Sequence, residues 1–285
     1  MTEQPETART LGILAGGGHL PSQVAAAAKA AGRAVFVVGL EGFVDKSWLV
    51  DWPHEIIRMG AAGRIKAALL EHGVRDMVLI GPVRRPSFFD MRPDALAARI
   101  LARVGKAAFT GDDGLLAGVV KVIGEEGFRV LGAQEILTEA LGPRGLLTQA
   151  APDAAAMADI ARGVAVARAL GAVDVGQGCV VQQGVVLAVE ALEGTDAMLA
   201  RSGPLALPAH GGVLVKLVKP GQDRRADLPT IGPGTVAAAA AAGLRGIAFE
   251  AGGAILVDRA FTIAAADKAG LFLLGLGQDE IDKGS

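Results

Sequence analysis

Leu11–Ala15, Ala34–Val38 and Met77–Ile80 are short apolar runs with no polar interruption. The first passes through Gly16-Gly17-Gly18 into a helical segment, Pro21–Ala31, that stops at Gly32. Ala61–Glu71 is a second helical segment, closed by Gly73. Strands that are apolar throughout must be covered on both faces, and alternation with helices supplies that cover, so this half predicts a parallel sheet with helices packed on it.

Two further helices are predicted over Asp94–Lys106 and Asp113–Glu126, with a last short strand at Arg129–Leu131. The sequence LGPRGLLTQAAP at 141–152 has Gly, Pro and little periodicity and reads as an interdomain linker. The second half restarts with a helix at Asp153–Leu170 and a hairpin of Cys179–Gln182 with Val185–Val189. Val213–Val218, Ile247–Phe249, Ile255–Val257 and Leu271–Leu274 read as strands, and Gly234–Ala242 and Arg259–Ala269 as helices. The expectation is an α/β protein of two domains: a Rossmann-like N-terminal parallel sheet with a glycine turn over 1–140, the linker 141–152, and a mixed α/β C-terminal domain over 153–285.

The 285 residues are 51% hydrophobic and 20% charged, which favours sizeable cores over disorder. With 28 Lys and Arg against 30 Asp and Glu, no basic footprint is available for nucleic acid. The single cysteine, Cys179, excludes an internal disulfide and a thiolate zinc cluster, and is most simply a buried strand residue. The start MTEQPETART lacks the basic and apolar runs of a signal peptide, and no apolar segment approaches the roughly 20 residues of a membrane-spanning helix. The chain reads as cytoplasmic, with any membrane contact peripheral. Trp48 and Trp52 are open to two readings, a lipid interface or ordinary packing.

Chemistry concentrates between Val185 and Thr235. Glu190, Glu193, Asp196, Asp223 and Asp227 accompany Lys216, Lys219, Arg224 and Arg225 there, punctuated by Gly and Pro. Carboxylates and cations at strand ends and turns suit a divalent metal held with a phosphorylated substrate. Asp223 and Asp227 are four apart and bracketed by Pro220 and Pro229, so both carboxylates leave one side of a rigid loop. With Arg225 they are candidates to hold Mg²⁺ and neutralise a pyrophosphate. For either Asp alone, a helix cap or a solvated turn is the better account; the whole segment, with its cations, favours function.

Lys216 interrupts the apolar strand VLVKLVK and needs an anion or solvent. Lys219 has the opposite strand parity, so the two meet one phosphate only if Pro220 or a bulge re-aims the chain. Glu190 is a candidate metal ligand. Glu193, Gly194, Thr195, Asp196, Arg201 and Gln222 are candidates for substrate contact, while capping by Thr195 or Asp196 of a helix at AMLAR stays open. Gly16, Gly17 and Gly18 at a helix amino terminus favour a phosphate. As a dinucleotide fingerprint the run is incomplete, since Pro21 stands where a third glycine is needed. No His–Ser–Asp or HExxH arrangement appears.

These motifs together resemble a known family, the LpxI-type UDP-2,3-diacylglucosamine pyrophosphatases of lipid A biosynthesis. The resemblance runs from LGILAGGGHLP through GPVRRP and DDGLLAGVV to DVGQGCVVQQGVVLAVEALEGTDAMLAR and KLVKPGQDRRADLPTIGPGT. It implies a magnesium-dependent hydrolase that releases UMP and 2,3-diacylglucosamine 1-phosphate from UDP-2,3-diacylglucosamine. It further implies two α/β domains with the lipid substrate between them, a homodimer, and peripheral contact with the inner membrane. Carried onto this chain, the family's acid pair falls on Asp223 and Asp227. A catalytic set of Asp223, Asp227, Lys216, Lys219 and Arg225 results, with Asp223, Asp227 and Glu190 as metal ligands. The rival expectations are a nucleotide-sugar or lipid-binding module without turnover, and an NAD(P)-dependent oxidoreductase built on the glycine turn and Glu41.

Overall fold

The computed structural model describes residues 9–83, 91–104, 112–208 and 210–283. The predicted helix end at Lys106 and the Arg84–Pro86 part of GPVRRP lie outside them. The chain forms two compact units, Met1–Thr138 with Asp223–Asp227, and Glu139–Gln222 with Leu228–Ser285.

In the first unit the elements run β1 Leu11–Ala15, α1 Leu20–Ala30, β2 Val35–Leu40, β3 His54–Ile57, α2 Ala62–Glu71, β4 Asp76–Ile80, α3 Ala95–Val104, α4 Asp112–Glu125, β5 Arg129–Leu131 and α5 Ala133–Ile136. The five strands are all parallel, in the order β3-β2-β1-β4-β5. Every residue of β2 is buried, which accounts for its uninterrupted apolar sequence. β3 escapes pattern reading because it is an edge strand that opens with His and Glu and is largely exposed. The strand order reverses between β1 and β4, and at such points ligands bind beyond the carboxyl ends of the strands.

Backbones cross closely at this reversal. A Cβ on Gly16 would stand 2.5 Å from the Gly81 carbonyl oxygen, and one on Gly81 equally close to that of Gly17. Gly81 also has φ +96°, so glycine is required on both counts. At the opposite end of the sheet, the wholly buried Asp76 accepts two bonds from Arg129, both 2.9 Å, and one from Arg33 at 2.8 Å. Burial would raise its pKa, but the guanidinium bonds of Arg129 and Arg33 outweigh that and hold it below the usual carboxylate range.

The second unit contains β6 Gly145–Leu146, α6 Ala154–Ala172, β7 Gly178–Gln182, β8 Val185–Val189, α7 Gly194–Ser202, β9 Val213–Lys216, β10 Thr230–Ile231, α8 Pro233–Ala241, β11 Gly246–Glu250, β12 Ile255–Leu256, α9 Arg259–Ala269, β13 Phe272–Leu276 and α10 Gln278–Lys283. Six strands pair in the order β6-β13-β11-β9-β7-β8. β9, β11 and β13 are parallel; β6, β7 and β8 join antiparallel. The hairpin between β7 and β8 turns on Gln183 and Gly184, both at positive φ, as a two-residue turn of that hand requires.

One core packs α7, α8 and α9 through Met198, Leu199, Val236 and Ala266 onto Leu214, Ile247 and Phe249. The other sets Ile160, Val164 and Ala167 of α6 against Val181, Val213 and Val215. Each fully buried Leu, Val or Phe contributes about 1.5–3 kcal/mol. α6 begins sharply because Asp153 accepts the Ala156 amide at 2.7 Å.

Residues 141–152, expected as a linker, lie in the second unit, and the change of unit falls between Thr138 and Glu139. β6 pairs with β13, and Thr148 Oγ1 accepts the Leu273 amide at 2.9 Å. Such pairing runs through the backbone of a two-residue edge strand and leaves no side-chain period to read.

Candidate active site

The acidic turn of the QDRRADLP motif folds onto the first unit, although its neighbours in sequence belong to the second. Asp223 O accepts the amides of Ala226 at 2.9 Å and Asp227 at 3.2 Å, closing one turn that carries both carboxylates. Ala226 packs against the core cluster of Phe36, Met77 and Phe128. The Gln134 side-chain amide of α5 donates to the Arg224 carbonyl at 3.1 Å. Since α5 begins just past the carboxyl end of β5, the turn is held at the strand-end edge of the parallel sheet.

Within the turn, Arg225 Nε and Nη2 donate to Asp223 Oδ1 and Oδ2 at 2.9 and 2.7 Å. This paired side-chain bond with Arg225 keeps the Asp223 carboxyl below its ordinary range despite partial burial, and raises Arg225 in turn. The Arg225 backbone amide also donates to Oδ1, at 3.1 Å. A carboxylate offers about four lone-pair directions, so these three bonds from Arg225 still leave Asp223 room to meet a cation through Oδ2.

In the second unit, Lys216 ends β9 with its side chain only 4% exposed. Its Nζ donates to Thr195 Oγ1 at 2.6 Å and lies 3.9 Å from Glu190 Oε1, while Thr195 donates to Glu190 Oε1 at 2.6 Å. The strand lysine therefore finds its anion inside the fold. Glu190 Oε2 is buried with no hydrogen-bond partner among the described residues.

Lys219, three residues past the end of β9, pairs instead with Asp174, Nζ to Oδ1 at 2.6 Å. Gln222 accepts the Lys219 amide through Oε1 and directs Nε2 toward Gln177 Oε1 at 3.4 Å. Arg201 donates to Glu193 at 2.7 Å and to the Val189 carbonyl, bracing the passage from β8 into α7. Gly194 opens α7 at φ +77°, Thr195 follows in its first turn, and Asp196 is exposed there.

The glycine run is partly committed. Gly16 N donates to Ile80 O at 2.8 Å and Gly17 N to Pro82 O at 3.0 Å, bonds that fasten β1 to β4. Beyond them α1 starts with Pro at its first positions, no acidic residue in its first turn and no side-chain cap at His19.

The predicted residues thus fall into three groups: Asp223, Arg225 and Asp227 on the turn, Gly16–Gly18 at the β1–β4 reversal, and Glu190, Glu193, Gly194, Thr195, Asp196, Arg201, Lys216, Lys219 and Gln222 in the second unit. Glu190, expected as a metal ligand, is held by Thr195 and Lys216, and among the described residues no three His, Cys, Asp or Glu side chains gather as a metal site. Sequence reasoning missed Gln134 and Asp174. Gln134 stands in no charged motif, and Asp174 opens the DVGQGCVVQQG run at a positive φ that the sequence does not display.

Residues 10–140 match the family model described as the LpxI N-terminal domain, and residues 143–274 that described as the LpxI C-terminal domain. The chain is 46% identical over 278 residues, 95% of its own length and 99% of the relative's, to the UDP-2,3-diacylglucosamine pyrophosphatase LpxI of Caulobacter vibrioides (strain ATCC 19089 / CIP 103742 / CB 15).

Proposed function

This chain belongs to the LpxI family, and from that premise we propose that it hydrolyses the pyrophosphate of UDP-2,3-diacylglucosamine in lipid A biosynthesis, giving UMP and 2,3-diacylglucosamine 1-phosphate with the help of a divalent cation such as Mg²⁺. The observation that carries the reading is the identity of 46% over nearly the full length of both chains.

A diphosphate resists water because its charged oxygens repel a nucleophile, so the work required is neutralisation and alignment. Asp223 and Asp227, displayed by a single turn, offer the one or two carboxylates that Mg²⁺ takes from a protein when substrate phosphates complete its coordination. Bound there, the cation would neutralise the diphosphate and lower the pKa of a water. Arg225 fixes the Asp223 carboxylate in its ionised form. In the same unit, Gly18 with the uncapped start of α1 takes the nucleotide diphosphate. Lys216 acts from within, setting Thr195 and Glu190 at the head of α7.

The substrate is a diacyl lipid, and among the described residues no helix is long and apolar enough to cross a membrane. The protein meets it at the cytoplasmic face of the inner membrane by peripheral contact, as a homodimer. Incubation of the purified protein with UDP-2,3-diacylglucosamine, with and without Mg²⁺, tests the reading by mass spectrometry. UMP formed with Mg²⁺ and suppressed by a chelator is the expected result. Ligand binding without phosphate-ester products would replace the enzyme with a binding module.

A further inference from the structure

Four features meet at α5. The Gln134 amide donates to the Arg224 carbonyl, next to Asp223 in the turn. Its Oε1 is buried with no hydrogen-bond partner among the described residues, an arrangement that proteins avoid. The opposite amide orientation would set oxygen against oxygen at Arg224, so what keeps this rotamer is the work of the N–H. The amide lies directly over Gly132, where an added Cβ would stand 2.2 Å from Nε2, so the α5 approach is cut to fit it. Finally, Glu135 fastens the same loop by accepting the Gly132 amide at 2.6 Å and adds a favourable electrostatic interaction with Arg225.

We propose that Gln134 is the positioning residue of the acidic turn: its amide pins the Arg224 carbonyl and thereby sets Asp223 and Asp227 in register with the diphosphate. The role rests on the reading that the two aspartates do the catalytic work. Gln134 itself touches no reacting atom. The turn spans five residues, and Ala226 packs it against the apolar core of this unit. Without the amide, the turn keeps that anchor but loses the bond that sets its Arg224 carbonyl against α5. Displacement by an ångström is enough to cost a reaction up to about a hundredfold.

Gln134→Leu removes the donor at similar volume. Gly132→Ala reaches the same end from the other side: the backbone there is at φ −75°, which alanine accepts, and the added methyl meets only the far end of a flexible side chain, pushing the amide off Arg224. Both variants are assayed as full chains with UDP-2,3-diacylglucosamine, alongside thermal melting. The expected result is a fall in kcat of about ten- to a hundredfold in each, with KM and melting temperature close to those of the parent. The double variant should be no slower than the slower single one, because both remove one bond.

Wild-type kcat in Gln134→Leu overturns the proposal, as does a loss that tracks a fall in melting temperature while Gly132→Ala stays fully active. Asp223→Ala and Asp227→Ala separate the two levels of argument. If both keep full turnover, the catalytic reading of the turn falls; if both lose it while Gln134→Leu does not, only the positioning role falls.

Discussion

Arg225 grips Asp223 through two parallel bonds, Nε to Oδ1 at 2.9 Å and Nη2 to Oδ2 at 2.7 Å, across a separation of only two residues. The guanidinium matches both carboxylate oxygens, so it orients the carboxylate and keeps it ionised together.

A pH dependence follows. The folded pKa of Asp223 is depressed, chiefly by its side-chain bonds with Arg225, so the ionised form and the stability it contributes persist until pH falls through that lowered value. Replacing Arg225 by Gln removes the main depressing cause and lets the pKa rise. The acid limb of the kcat/KM profile should therefore move to higher pH; an unmoved limb would show that Asp223 does not govern it.

Replacing either carboxylate of the turn by its amide, Asp223→Asn or Asp227→Asn, keeps the shape and removes the charge. Turnover should fall by at least about a hundredfold, the scale expected when a preorganised charge is lost from a reacting centre. The Mg²⁺ concentration for half-activation should rise in the variant that retains measurable activity, read from a metal titration.

Lys216 and Glu190 neutralise each other in the interior of the second unit through Thr195. Lys216→Met should destabilise that unit by about 3–5 kcal/mol, because a buried carboxylate is left without its counter-charge. Adding Glu190→Gln should restore much of the loss. Urea unfolding of the two variants distinguishes this from simple loss of packing, which the second change would not repair.

Asp76 makes a parallel case in the first unit, where Arg33 and Arg129 converge on it at zero exposure. Asp76→Asn is expected to cost about 3 kcal/mol, seen as a lower urea midpoint, while leaving the KM of the remaining folded enzyme unchanged. In the parent, its contribution is present above the unfolded carboxylate pKa and disappears as pH falls through the depressed folded value.

Cys179 is fully buried in β7 and burial pushes its thiol up to about 12. Thiol reagents should leave the native protein unlabelled and active, and should label it once it is unfolded in urea.

The apolar strands β1, β2 and β4, the glycine turn after β1 and the β7–β8 hairpin were legible in the sequence, because continuous burial and the turns between elements both act on near neighbours in the chain. The acid pair was legible for the same reason: a spacing of four sets Asp223 and Asp227 on one turn whatever surrounds it. The sequence could not show that this turn leaves the unit of its neighbours to lie against α5, since Gln134 and Arg224 are 90 residues apart and are joined through a main-chain carbonyl, which every residue carries. Lys216 is another such case. Its place in an apolar strand demanded an anion, but Thr195 and Glu190 were chosen by the packing of α7 beside β8 and β9, a long-range arrangement that no local period encodes.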